Sequence, residues 1–119
     1  MSKEIQLLVV FVTCGNEEEA QTISNALVRR RLAACGNIIP GVTSVFQWKN
    51  KVTHDQEVLV VFKTRKSLFS DLVSAVKELH TYKVPEIIGL PIVSGSKEYL
   101  HWLVEETRSE DDTTDDGGS

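Results

Sequence analysis

Residues 42–64 read VTSVFQWKNKVTHDQEVLVVFKT and hold two strands joined by one turn. Val42, Ser44, Phe46 and Trp48 alternate with Thr43, Val45 and Gln47, the period of two that a pleated strand imposes on its side chains. Lys49-Asn50 supplies a tight turn, and Glu57–Thr64 (EVLVVFKT) is a second run dense in β-branched residues, apolar on both faces. The pair is a hairpin. Its first arm extends back to about Ala34, so this strand covers roughly Ala34–Lys49. It is interrupted at Pro40-Gly41, where proline withholds a ladder donor and glycine permits a bulge.

Working outward, Ile5–Val12 on the amino-terminal side is rich in β-branched residues and reads as a buried strand ending in the turn Cys14-Gly15-Asn16. Asn16 then caps a helix, Glu19 completes a capping box, and Ala20, Ile23 and Leu27 recur at helical spacing. This helix ends near Arg29–Arg31, whose charge suits the carbonyl end of the dipole and reads as a solvated terminus. On the carboxy-terminal side Ser67 is the expected cap of a second helix with the stripe Phe69, Leu72, Val76 and Leu79. His80–Pro85 is a loop. Ile87–Val93 is a fourth strand weakened by Gly89 and Pro91, and Pro91 argues for an edge or bulged position. Ser96 caps a final helix running to about Glu106. The order βαββαβ with an extra C-terminal helix is the α+β, ferredoxin-like sandwich.

That topology places both crossover helices on one face of the sheet. Yet Leu7, Val9 and Phe11 alternate with Leu8, Val10 and Val12, and Leu59 and Val61 alternate with Val58, Val60 and Phe62, so both faces carry apolar side chains. One set needs a cover that a monomer does not supply, and a second copy of the chain is the expected one.

Of the 17 carboxylates five lie in Thr107–Ser119, against one of the 13 basic residues. Residues 1–106 are therefore electrically neutral and form the expected single domain, while 107–119, without an apolar side chain, reads as a disordered acidic tail. A neutral body lacks the basic excess that nucleic acid demands. The longest apolar run, Leu7–Val12, is far short of the roughly 20 residues of a membrane span. With no signal-peptide pattern and only two cysteines, the expected compartment is a reducing cytoplasm with both thiols free.

No phosphate loop, Cys-x-x-Cys pair, His-Glu-x-x-His helix or nucleophile elbow is present, so no catalytic residue is assigned and the expectation is not an enzyme. Cys35 reads either as a small core residue or as a soft metal ligand. Cys14, in its turn, reads as structural. The two belong to opposite ends of the sheet, beyond the roughly 7 Å that a disulfide allows between Cα atoms. The segment 80–86, HTYKVPE, is the densest polar stretch: an imidazole, a phenol, an ammonium and a carboxylate. His54 and His101 read as solvated surface, Trp48 and Trp102 as packing anchors or cleft walls.

Three segments, LVRRRLAACGNIIPGVTSVFQWKNK (27–51), EVLVVFKT (57–64) and ELHTYKVPEIIGLPIVSGSKEYLHWL (78–103), together resemble the CutA family of divalent-cation tolerance proteins. The resemblance implies a ferredoxin-like subunit in a PII-like homotrimer, associated with copper and other divalent-cation tolerance, with no established reaction. It assigns Cys35 and His80 as metal residues and Trp48, Glu57, Lys63, Tyr82, Glu86 and Trp102 as cleft residues. Where some bacterial members add a second Cys and a further His, this chain has Val12 and Leu79. The implied copper or other divalent cation is therefore weakly held and not required for folding. Cys35 and Lys63 belong to one end of the sheet and Trp48, Glu57, His80, Tyr82 and Glu86 to the other, so a single site built from them lies between neighbouring subunits. The alternative is a PII-like signalling or scaffolding trimer that binds a small anion beside Lys63.

Overall fold

The computed structural model describes residues 4–109. Strand β1 (Leu7–Cys14) leads into helix α1 (Glu17–Arg29), and β2 (Cys35–Trp48) with β3 (Lys51–Arg65) makes the hairpin. A 3-10 turn (Lys66–Leu68) passes into α2 (Phe69–Leu79), and β4 (Ile87–Pro91) precedes α3 (Lys97–Glu106). The four strands form one sheet in the order β2-β3-β1-β4, with every neighbouring pair antiparallel. This is the expected α+β, ferredoxin-like order, with β4 and its Pro91 at an edge.

Local chemistry accounts for each boundary. Asn16 Oδ1 accepts from the Glu19 N–H at 2.8 Å, and the Glu19 carboxylate returns to the Gly15 N–H at 3.1 Å, one residue earlier than a standard capping box. At the other end of α1 the Leu32 N–H bonds the Leu27 carbonyl and the Arg31 N–H bonds that of Val28, a Schellman closure with Arg31 at φ 60° in the place usually held by glycine. Lys49 and Asn50 are both left-handed, at φ 52° and 66°, which makes the two-residue hairpin turn whose twist matches its strands. The bulge falls between Ile39 and Val42, and Gly41 takes φ 79° there.

Three expectations are corrected. Ser67 lies inside the 3-10 turn and caps nothing, because α2 starts at Phe69 behind Leu68 without a side-chain cap. Strand β3 begins at Lys51, not Glu57, since Lys51–Gln56 pairs with Val42's end of β2 as a polar arm beyond the body of the sheet, where neither face must be apolar. Strand β4 ends at Pro91, not Val93, although one bond beyond it, from the Ile92 N–H to the Leu7 carbonyl at 2.9 Å, still ties the chain to β1.

The core lies between the sheet and α1 and α2. Val10, Val12, Cys14, Val58, Val60 and Phe62 meet Ile23, Leu27, Leu72 and Val76, all buried. Gly36 admits the Phe62 ring, since a Cβ there would stand 2.8 Å from it. On the opposite face Val9, Phe11, Leu59 and Val61 are half-buried, and Ile39, Ile88 and Leu90 are close to half exposed. Helix α3 covers only one corner, where Leu103 packs on Leu7 and Ala34.

Two arginines fasten that helix. Arg65 donates to the Val104 carbonyl at 2.7 Å, the Thr107 carbonyl at 3.2 Å and Thr107 Oγ1 at 2.9 Å. Arg31 donates to the Glu105 and Glu106 carbonyls, and its own carbonyl accepts from the Arg108 N–H. Arg31 is exposed, as expected of a solvated helix end, and also ties that end to α3. Thr107 is buried and Arg108 is bonded, so both belong to the folded body and not to the tail expected from Thr107. Its remainder, 110–119, lies outside the described residues.

Candidate metal centre

Where β1 meets α1, the sulfur of Cys14, a carboxylate oxygen of Glu19 and a ring nitrogen of His80 all lie within 4.8 Å of one another. Each reaches this point for a local reason. Cys14 is the last residue of β1 and faces the helices. Glu19 is turned back by its bond to Gly15. His80 directly follows α2, and its ring enters the body to bond the Thr13 carbonyl at 2.7 Å. A carbonyl only accepts, so Nε2 carries the ring proton, and Nδ1 accepts from the Tyr82 N–H at 3.0 Å. Nδ1 also faces Glu19 Oε2 at 3.5 Å.

The surroundings set the charges. Burial, reinforced by Glu19 and Glu57, pushes the Cys14 thiol up to about 12. Burial also pushes the Glu19 carboxyl up, but N–H bonds from Thr81 and Gly15 outweigh it and hold this group below its ordinary value. Tyr82 closes the site. Its hydroxyl donates to Glu57 Oε2 at 2.7 Å, its ring centroid is 4.7 Å from that of His80, and burial followed by the Glu57 carboxylate raises its phenol.

The donor set fits a thiophilic cation. Sulfur, imidazole nitrogen and one carboxylate oxygen suit zinc or copper, whereas calcium and magnesium require oxygen cages. Contraction of roughly 1 Å would bring the three atoms to the edge lengths of a tetrahedral site. The thiol proton and the occupied Nδ1 lone pair both oppose binding.

Residues 8–106 match the family described as CutA1 divalent ion tolerance protein. The chain belongs to the CutA family. It is 52% identical over 99 residues to the divalent-cation tolerance protein CutA of Thermus thermophilus, covering 83% of this chain and 96% of that one. It is 46% identical over 103 residues to the human protein CutA, covering 87% of this chain but only 58% of the human one, so it spans about three fifths of that longer relative. Among solved structures, CutA1 of Oryza sativa superposes with a TM-score of 0.86 at 44% identity, over 90% of this chain and 98% of that one. The Thermus thermophilus structure gives 0.84 at 51% identity, over 86% and 99%. The Arabidopsis thaliana relative is named chloroplastic and the Archaeoglobus fulgidus structure periplasmic, so family membership does not select the expected cytoplasm. No helix among the described residues is long and apolar enough to cross a membrane.

Of the residues implied by the CutA resemblance, the structure brings Glu57, His80 and Tyr82 together. It does not bring Cys35 to His80. Cys35 pairs with Lys63 across β3, whereas Thr13, which holds the His80 ring, pairs with Leu59 from the other side of that strand, about 13 Å further along it. Cys35 instead lies 3.6 Å from the Tyr99 hydroxyl, whose ring stacks near Trp102, and this hydrogen bond, then burial, raises the Tyr99 phenol to about 12. The Lys63 ammonium bonds Asn37 Oδ1. Trp48 sits at the end of the polar arm opposite Lys51, about 20 Å of strand from Glu57, and is 61% exposed. Glu86 is exposed just ahead of β4. Cys14 and Glu19 were missed as ligands. The available signal was the cap itself, since a glutamate three residues inside Asn16 points back over the turn that contains Cys14.

Proposed function

We propose that this chain forms a homotrimer that binds a divalent cation, with copper the favoured physiological ion, and contributes to metal tolerance by holding the ion rather than by catalysing a reaction. One observation carries the cation reading: Cys14, Glu19 and His80 converge within 4.8 Å. Trimerisation is supported by the open sheet face, whose seven apolar side chains α3 leaves uncovered, and by family membership. A reducing cytoplasm would keep both thiols free, as they are here.

Titration of metal-free protein with copper or zinc against a competing chelator, comparing Cys14→Ala with Cys35→Ala, tests the reading. Loss of binding in Cys14→Ala alone is expected. Loss in Cys35→Ala alone would transfer the ion to the far end of the sheet and to a site shared between subunits. A PII-like trimer holding a small anion at Lys63 is the second reading, in which the ammonium spends one of its three donors on Asn37.

A further inference from the structure

We propose that Tyr82 is the gate of the Cys14–Glu19–His80 centre: its hydroxyl bond to Glu57 and its N–H bond to His80 hold the site shut, and a thiophilic d10 cation such as Zn(II) or Cu(I) enters only as both bonds release. The proposal rests on the cation reading above and adds the residue that controls entry.

The centre is closed. Cys14 is fully buried, and the His80 and Glu19 side chains are 0% and 8% exposed. Tyr82 is the cover on the side of the turn: a Cβ on Gly15 would lie 3.5 Å from its hydroxyl oxygen and 3.8 Å from its ring, so the phenol passes directly over the turn between Cys14 and Asn16. The same ring packs on His80.

The three donors differ in what they have free. The Glu19 carboxylate accepts the Gly15 and Thr81 N–H groups and the Thr81 hydroxyl, and of its roughly four lone-pair sites one is left for a metal. Among the described residues no group hydrogen-bonds the Cys14 sulfur. The imidazole is the bottleneck. Nε2 carries the proton donated to Thr13, and the single lone pair of Nδ1 is engaged by the Tyr82 N–H. A nitrogen lone pair serves one partner, so a cation on Nδ1 excludes that N–H bond.

Coordination at His80 therefore requires residue 82 to turn away, which draws its hydroxyl from Glu57. Displacing the backbone bond and lifting the ring are one event. As the metal–sulfur bond forms, Cys14 gives its proton to bulk water, and no oxidant or reductant is involved. Calcium and magnesium gain too little from sulfur to drive this exchange.

The test uses the full chain, free of metal, mixed with Zn(II) in a stopped-flow instrument with a chromophoric zinc indicator. Wild type is expected to take up one zinc per chain in a phase whose rate saturates with zinc concentration, the plateau being the opening rate. Tyr82→Phe keeps the ring and the backbone N–H but loses the bond to a charged acceptor, and its plateau is expected to rise tenfold or more. Glu57→Gln, which conserves volume, is expected to move the plateau in the same direction. If both variants keep the wild-type plateau while Cys14→Ala loses zinc, the gate is wrong and the cation site stands. If Cys14→Ala binds zinc like wild type, the cation reading itself is wrong. Far-UV circular dichroism of each variant separates lost binding from lost fold.

Discussion

Glu19 serves the helix and the candidate centre with the same two oxygens, and its titration makes that visible. Its carboxyl is held below its ordinary value of 4.5, so the stabilisation it supplies is complete above that value and is lost as pH falls through the folded pKa. Glu19→Gln is expected to lower stability by about 1–2 kcal/mol at neutral pH. In denaturant melts taken across pH, the gap between wild type and variant should close below about pH 4.5. A gap that persists unchanged in acid would mean that the charge is not what the two N–H groups require. Gly36 makes a sharper demand on space. Gly36→Ala drives a methyl to 2.8 Å from the Phe62 ring and is expected to cost about 1–3 kcal/mol in the same melts. At this scale His80 and Tyr82 were legible as members of a dense polar loop, whereas Glu57 was indicated only by the CutA resemblance. Cys14 was not legible, since the imidazole beside it is 66 positions away and only the closing of α1 and α2 onto β1 brings them together.

Among the elements, α3 is held both by Leu103 on its apolar stripe and by the guanidinium groups at its end. Arg65→Met removes donors to two carbonyls and a hydroxyl in a buried setting, and a loss of about 2–3 kcal/mol is expected. Truncation after Glu106 should be less stable than truncation after Ser109, because only the shorter chain loses Thr107 and Arg108. Equal melting temperatures for the two truncations would refute the role given to that junction. Element order was legible throughout, since β-branched runs, caps and turn residues agree with one another along the chain. The start of α2, the start of β3 and the end of β4 were not. The polar first half of β3 has no core-facing period to read, and the anchoring of Arg31 to α3 depends on a contact across 74 positions.

For the molecule as a whole, the uncovered sheet face is the governing fact. Light scattering coupled to size exclusion should report about three times the 13.3 kDa chain mass, stable on dilution. Val61→Lys, which places an ammonium in the middle of that face, should shift the mass towards one chain, and a variant that remains fully assembled would show that the face is not the interface. The missing cover was legible from the alternation in β1 and β3, because a topology with both crossovers on one side leaves the other side bare. What covers that face is not written in any periodicity.

The left-handed pair Lys49-Asn50 has a further consequence, for the order in which the chain organises itself. Strands β2 and β3 are consecutive and close through two residues, whereas β1 must wait for the intervening helix and hairpin before it meets β3. Local closure is entropically cheap and takes microseconds, so the arm is expected to form ahead of the rest and to be present in the rate-limiting transition state. Asn50→Gly, which relieves a side chain at φ 66°, should then accelerate refolding about as much as it stabilises the protein and leave the unfolding rate nearly unchanged. If the gain appears instead as slower unfolding, the turn closes late, and the bare face is exposed to solvent for less of the folding time than this order implies.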